Sequence, residues 1–379
     1  MKKILLLAVA LVSGVFFLNG CIFDTNKPTP VDDVLSSRVL FVATSNYVNG
    51  QLNWMNDTSS SYASNSLTIG ADVRLKNVGG YLYALEGFGT DNILKIDPNK
   101  GDSVLGQQSV VYEKSLADNC NPLDIEVINA TKAFVATENV PYVLIVNPET
   151  GDSTGRISTA AYCYNPTPTS ATPSPYATAL TQYGDTVYVL MNHRTTDSPA
   201  LYGPGLIVLI NKNSNTIIDT ITLAYTNPTS MVLRNNLLYV TSCGSYDALN
   251  DGAVEVLNLT NRQHLPNAIS KSTLGGRPEH IVCKGGTSWY VETYVAWGDV
   301  RVVEANFFTG TVVATLSGIT NAYGGICYDS VIQRLYVGEQ GTSKGGLLVF
   351  DAATNQKIGS TITNTAGLNP GSMAIVERK

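Results

Sequence analysis

The compact group Arg277-Pro278-Glu279-His280 places a cation, a carboxylate and an imidazole side by side. Glu279 and His280 could move a proton at a bound substrate, with Arg277 beside them, which is the chemistry of general acid–base catalysis. A lone histidine next to a carboxylate also has a purely structural use, capping the start of a strand. Elsewhere the catalytic inventory is thin. His193, His264 and His280 form no pair at metal-ligand spacing, and no two cysteines stand at CxxC spacing. No enzyme and no organic cofactor is needed to explain the sequence.

Two stretches interrupt an otherwise regular chain. Residues 192–205 carry His193, Arg194, Asp197 and Tyr202, and residues 242–252 carry Tyr246, Asp247 and Asp251. Together with Tyr294 and Trp297 they offer polar and aromatic groups for a protein, peptide or glycan ligand, since long loops on a rigid scaffold are where binding groups collect. The alternative is that these aromatics pack the loops against one another. Glu86, Asp91 and Glu339 recur at equivalent places and would suit Ca²⁺ if they converged, but a solvated acidic rim explains them as well. Of the cysteines, Cys120 and Cys163 precede consecutive Asn-Pro and Tyr-Asn-Pro links and are the pair most easily bridged; Cys283 and Cys327 read as buried thiols.

What positions these residues is a repeat. Leu40-Phe41-Val42-Ala43 returns around Tyr83, Phe134, Tyr188, Tyr239, Tyr290 and Tyr336, at steps of 42, 51, 54, 51, 51 and 46 residues. That is the period of a four-stranded unit. Each copy alternates apolar with small or polar residues, as a strand with two packed faces does. An apolar strand follows each copy, several of them broken by turns such as Asn147-Pro148-Glu149-Thr150-Gly151, and an outer strand comes next. Inner strands are expected at 71–76, 123–128, 177–181, 230–233, 280–283 and 325–328, six for seven anchors. The seventh lies at the other end. Asn369-Pro370-Gly371-Ser372-Met373 repeats the Asn227-Pro228-Thr229-Ser230-Met231 pattern. The expectation is an all-β, seven-bladed β-propeller with four antiparallel strands per blade, closed by a C-terminal strand that completes the N-terminal blade.

The anchors, Tyr239-Val240-Thr241 above all, resemble the YVTN-type repeat of bacterial surface and periplasmic seven-bladed propellers, over roughly residues 37–379. That resemblance implies function on the face where the inner strands begin. It leaves two readings open: a binding or scaffold module, or a lyase-like or quinoprotein-like oxidoreductase using Glu279 and His280.

Composition and the amino terminus set the compartment. Charged residues make up only 14% of the chain, with 33 Gly and 20 Tyr, a balance typical of an exported β-protein. Met1-Lys2-Lys3 followed by the apolar run Ile4–Leu18 reads as an export signal, with Leu18-Asn19-Gly20-Cys21 similar to the lipobox of bacterial lipoproteins. Residues 1–20 would be removed, Cys21 acylated, and residues 21–36 would act as a tether to a 37–379 propeller. Ile22 rather than Asp after the cysteine favours the outer membrane of a bacterial envelope. Loss of Lys2 and Lys3 leaves 22 basic against 30 acidic side chains, a net of −8, which speaks against a nucleic-acid partner. A monomeric propeller is expected.

Overall fold

The computed structural model describes residues 37–57, 59–100, 109–116, 119–166, 176–196, 200–245, 250–341 and 345–378; Cys21, Asp197, Tyr246 and Asp247 lie outside them. Seven antiparallel sheets form a seven-bladed propeller. In six blades the inner strand leads in sequence: Val73–Val78, Pro122–Asn129, Ala177–Tyr183, Pro228–Arg234, Arg277–Gly285 and Ile326–Asp329. The seventh inner strand is Asn369–Glu377, which pairs with Arg38–Ser45 from the opposite end of the chain. Arg38–Ser45 then pairs with Gly50–Asn56, and that strand with the short outer strand Leu67–Ile69. The expected closure is therefore present, and every second strand is flanked on both sides.

The aromatic repeat owes its regularity to packing. Phe41, Tyr83, Phe134, Tyr188, Tyr239, Tyr290 and Tyr336 occupy the second strand of each blade, and all are buried. Buried apolar residues fall into seven clusters, one between each pair of neighbouring blades. Alternate residues of one strand serve different interfaces, because side chains on a strand point to opposite faces. Phe41 packs with Leu82 and Leu94 of the next blade, whereas Leu40 and Val42 pack with Tyr336 and Leu347 of the previous one. The largest stack is Tyr239 on Trp289, ring centres 4.0 Å apart, with Phe307 set edge-on to both.

Local turn chemistry follows the sequence. Asn147 Oδ1 accepts the Glu149 N–H, and Gly151, at φ 77°, donates its N–H to the Asn147 carbonyl. A side chain at Gly151 would strike Tyr112 and Lys114 of the adjacent blade, so only glycine closes this turn.

The cysteines depart from expectation. Cys120 and Cys163 form no bridge and are free thiols. Cys120 is packed in the apolar cluster between blades 2 and 3, and Cys163 follows a turn of 3-10 helix that directs its Sγ back to the Thr159 carbonyl. Cys243 is as deeply buried as Cys120 and donates to the Pro278 carbonyl at 2.9 Å, while Cys283 and Cys327 are only partly buried.

Candidate functional site

Inner strands from all seven blades surround a cavity of about 570 Å³ at the mouth of the central channel. Its floor and walls come from the first residues of the inner strands. Its rim comes from residues just before them, such as Tyr176 and Tyr323, and just after the second strands, such as Glu138, Asn192 and Arg194.

The inner strands reach this mouth in a particular way. In five blades the pairing register shifts at the start of the inner strand. Such bulges re-aim side chains, and they are common beside functional sites. Each bulged residue lines the cavity: Leu123, Thr178, Thr229, Gly371, and in blade 6 the pair Glu279–His280. Between the Pro278–Thr293 and Ile281–Val291 pairs, Glu279 and His280 together oppose the single residue Glu292. The irregularity thus turns both side chains of the Glu-His motif into one chamber.

His280 is ringed by protein yet has half of its side-chain surface open to the channel, and its Nδ1 lies 3.3 Å from Glu292 Oε2. It is therefore not a buried cap satisfied by backbone. Burial disfavours its charge, but Glu292 and then Glu279 outweigh that, so its pKa lies above the ordinary histidine value. Burial raises the Glu279 carboxyl despite Arg277 and His280 nearby. Arg277 does not join them in the cavity. It is buried between blades 5 and 6, 4.0 Å from Glu279, with its guanidinium over the Tyr294 ring and against the Cys243 carbonyl.

Across the channel, blades 2 and 4 supply cations. Lys76 is fully engaged, its Nζ 2.7 and 3.0 Å from the two Asp124 oxygens and 3.4 Å from the Leu180 carbonyl. Arg194 stacks on Tyr176 at 3.9 Å and stands 3.7 Å from Glu138 Oε1. Asn192, 5% exposed, donates to Asn227 and Pro228 and leaves its Oδ1 unpartnered.

Of the described loop residues singled out from sequence, Arg194 alone reaches the cavity. His193, at φ 58°, packs on Tyr164 and contacts the Pro204 carbonyl; Asp251 accepts the Ser245 N–H; Tyr202 bridges to Arg194 within its own loop. Tyr294 supports Arg277, and Trp297, 86% exposed, sits at a hairpin tip. The carboxylates suggested for Ca²⁺ do not converge. Glu86 accepts the Gly70 N–H and an Asn92 amide, Asp91 accepts the Asn121 N–H, and Glu339 accepts the Thr320 N–H. Among the described residues no three His, Cys, Asp or Glu groups are placed to hold a metal.

Arg74, Tyr176 and Asn192 were not singled out by sequence reasoning, and the available signal was weak: polar residues at the ends of strands whose neighbours are apolar. Gly341-Thr342-Ser343-Lys344-Gly345 also matches Gly-x-Ser-x-Gly spacing. Residues 342–344 lie outside the described ones, and the flanking elements are the strands Arg334–Glu339 and Gly346–Asp351, not the strand and helix that a nucleophile turn requires.

Comparison with solved structures confirms the architecture. The fold is similar to a candidate 6-phosphogluconolactonase from Bacteroides fragilis NCTC 9343, with a TM-score of 0.62 at 12% identity, covering 92% of this chain and 100% of that one. It is similar to a protein of unknown function from Desulfotomaculum acetoxidans DSM 771, with a TM-score of 0.60 at 14% identity over 91% and 100% of the two chains. It also resembles the dihydro-heme d1 dehydrogenase NirN, with a TM-score of 0.57 at 12% identity over 92% and 77%. These are likenesses of fold. No protein-family model matches the chain, and no curated protein matches it.

Proposed function

We propose that the protein is a binding module of the bacterial cell envelope whose site is the channel mouth. The observation carrying this reading is the cavity itself, where seven blades converge and five bulges aim residues inward. Its 570 Å³ falls within the usual range of ligand sites, and it suits a small molecule or the end of a peptide or glycan. Orphaned polar atoms in its wall, such as Asn192 Oδ1, favour a ligand that hydrogen-bonds.

A second reading, acid–base catalysis, draws support from the half-exposed His280 against Glu292 and Glu279. Likeness in fold to a candidate lactonase and to a dehydrogenase favours neither. One experiment addresses both. Envelope extracts are screened for small molecules retained by the wild type and by Ser230→Trp, which fills the channel. Retention lost in the variant supports a channel ligand, and retention by both proteins overturns it. Recovery of a chemically altered ligand that depends on His280 would favour catalysis.

We further propose attachment through an acylated Cys21. Two or more acyl chains hold a protein firmly where one is marginal. Cys21→Ser is expected to lose labelled-palmitate incorporation and move to the soluble fraction; unchanged membrane association would sink the proposal.

A further inference from the structure

Three cations line the channel mouth, and they are not equivalent. Lys76 has its ammonium saturated by Asp124 and Leu180. Arg74 is nearly half exposed, and its one ion pair among the described residues is with Asp72 at 3.8 Å, beyond hydrogen-bond reach. Arg194 is held flat by Tyr176, with Tyr202 beside it. Its Nε is buried with no hydrogen-bond partner among the described residues, and its Nη2 stands 3.7 Å from Glu138. A guanidinium carries five N–H donors in a rigid fork, suited to two-point contact with a carboxylate or phosphate. Two of them, from blades 2 and 4 of one cavity, keep donors unspent, although Arg194 also bonds the Tyr202 side chain.

Glu138 lies in the field of both arginines. It hydrogen-bonds neither of them closely, since its Oε2 accepts from the Asn121 amide at 2.5 Å and its Oε1 stands 3.7 Å from Arg194. Burial pushes its pKa up, although Arg194 and Arg74 pull the other way.

We propose that Arg74 and Arg194 form an oxyanion subsite for the acid group, carboxylate or phosphate, of the channel ligand, with Glu138 as the internal anion that this group replaces. The inference rests on the channel mouth being the binding site. It makes the ligand an acid whose polar body extends toward Thr229, Glu279 and Glu292 on the far wall. The charged and titratable groups around Glu138 are Asp72 and Arg74 from blade 2 and Tyr176 and Arg194 from blade 4, and the same cavity holds Lys76, Asp124, Glu279, His280 and Glu292. An anion bound between the arginines adds negative charge beside Glu138, so binding takes up a proton and tightens as pH falls.

Calorimetry on the purified full chain tests this with four probes: gluconate, inorganic phosphate, sorbitol and ethanolamine. Gluconate or phosphate should bind, at least tenfold more weakly to Arg74→Gln and to Arg194→Gln, and sorbitol and ethanolamine should not. Preference between the two anions identifies the acid group. Proton uptake, measured in buffers of different ionisation heat, should disappear in Glu138→Gln and persist in His280→Gln. Arg74 is exposed enough for its variant to fold even if Arg194→Gln does not. Anion affinity unchanged in Arg74→Gln, no anion binding at millimolar concentration, or tighter binding of ethanolamine overturns the subsite. Sorbitol or ethanolamine bound by the wild type and lost in Ser230→Trp would overturn it while leaving the channel-binding reading intact.

Discussion

Removing residues 369–379 will leave a chain that reaches no cooperative native state. Asn369–Glu377 pairs along the whole of Arg38–Ser45, and its alternate residues belong to two separate interfaces. Ala374 and Val376 pack between blades 1 and 2, while Met373 and Ile375 pack against the cluster between blades 7 and 1. Deletion strips both clusters at once and exposes Arg38–Ser45 as an unpaired, mostly apolar edge, the kind of edge that recruits another chain. Loss of a sharp denaturation transition and growth of high-mass species in light scattering are the expected readouts. The arrangement also supplies a control. The Arg378 N–H donates to the Ser37 carbonyl at 2.6 Å, so a short linker can join residue 378 to residue 37. A permuted chain beginning at Asn369 should recover the native transition. A truncated protein that unfolds as sharply as the parent would show that the ring does not depend on this closure.

The second large effect is expected at Asp329→Ala. Asp329, 1% exposed, ends the inner strand of blade 7 and receives the Arg38 guanidinium in two-point fashion, Nε to Oδ2 at 3.0 Å and Nη2 to Oδ1 at 2.9 Å. Its Oδ1 also accepts the Val331 N–H in the following turn. Alanine takes the two-point acceptor from Arg38, leaving it the 4.0 Å contact to the exposed Glu377, and orphans a turn donor. Breaking a buried pair on one side costs roughly 3–5 kcal/mol, and the partial exposure of Arg38 places the expected loss near the lower end, about 3 kcal/mol. The urea midpoint should fall with the slope unchanged. Asp329→Asn, which keeps the turn acceptor, should lose less. Equal losses in the two variants would locate the effect in the ion pair alone, and a loss confined to Asp329→Ala would locate it in the turn.

The fold was legible because packing repeats. An aromatic that fills the same gap between blades must recur at blade spacing, and the Asn-Pro-x-Ser-Met pattern near both Met231 and Met373 marks the closure in the sequence itself. The site was legible only in part. Glu279 and His280 were visible because they are adjacent in sequence, yet the bulge that faces both into the channel leaves no sequence mark. Arg74, Tyr176 and Asn192 come from two blades and meet only through ring closure. Long loops drew attention by breaking the period, but His193 Nδ1 and Asp251 Oδ2 hold those loops together. Arg194 is the exception, since its second strand ends at the channel rim.

The pairing of Arg38 with Glu377 puts both described ends of the chain at the opposite end of the blades from Ser45, Asn369 and the cavity. A surface that captures the protein by the residues before Ser37 therefore presents the open channel outward, to whatever diffuses past. For a biosensor chip or an affinity resin, the amino-terminal end is the one to immobilise.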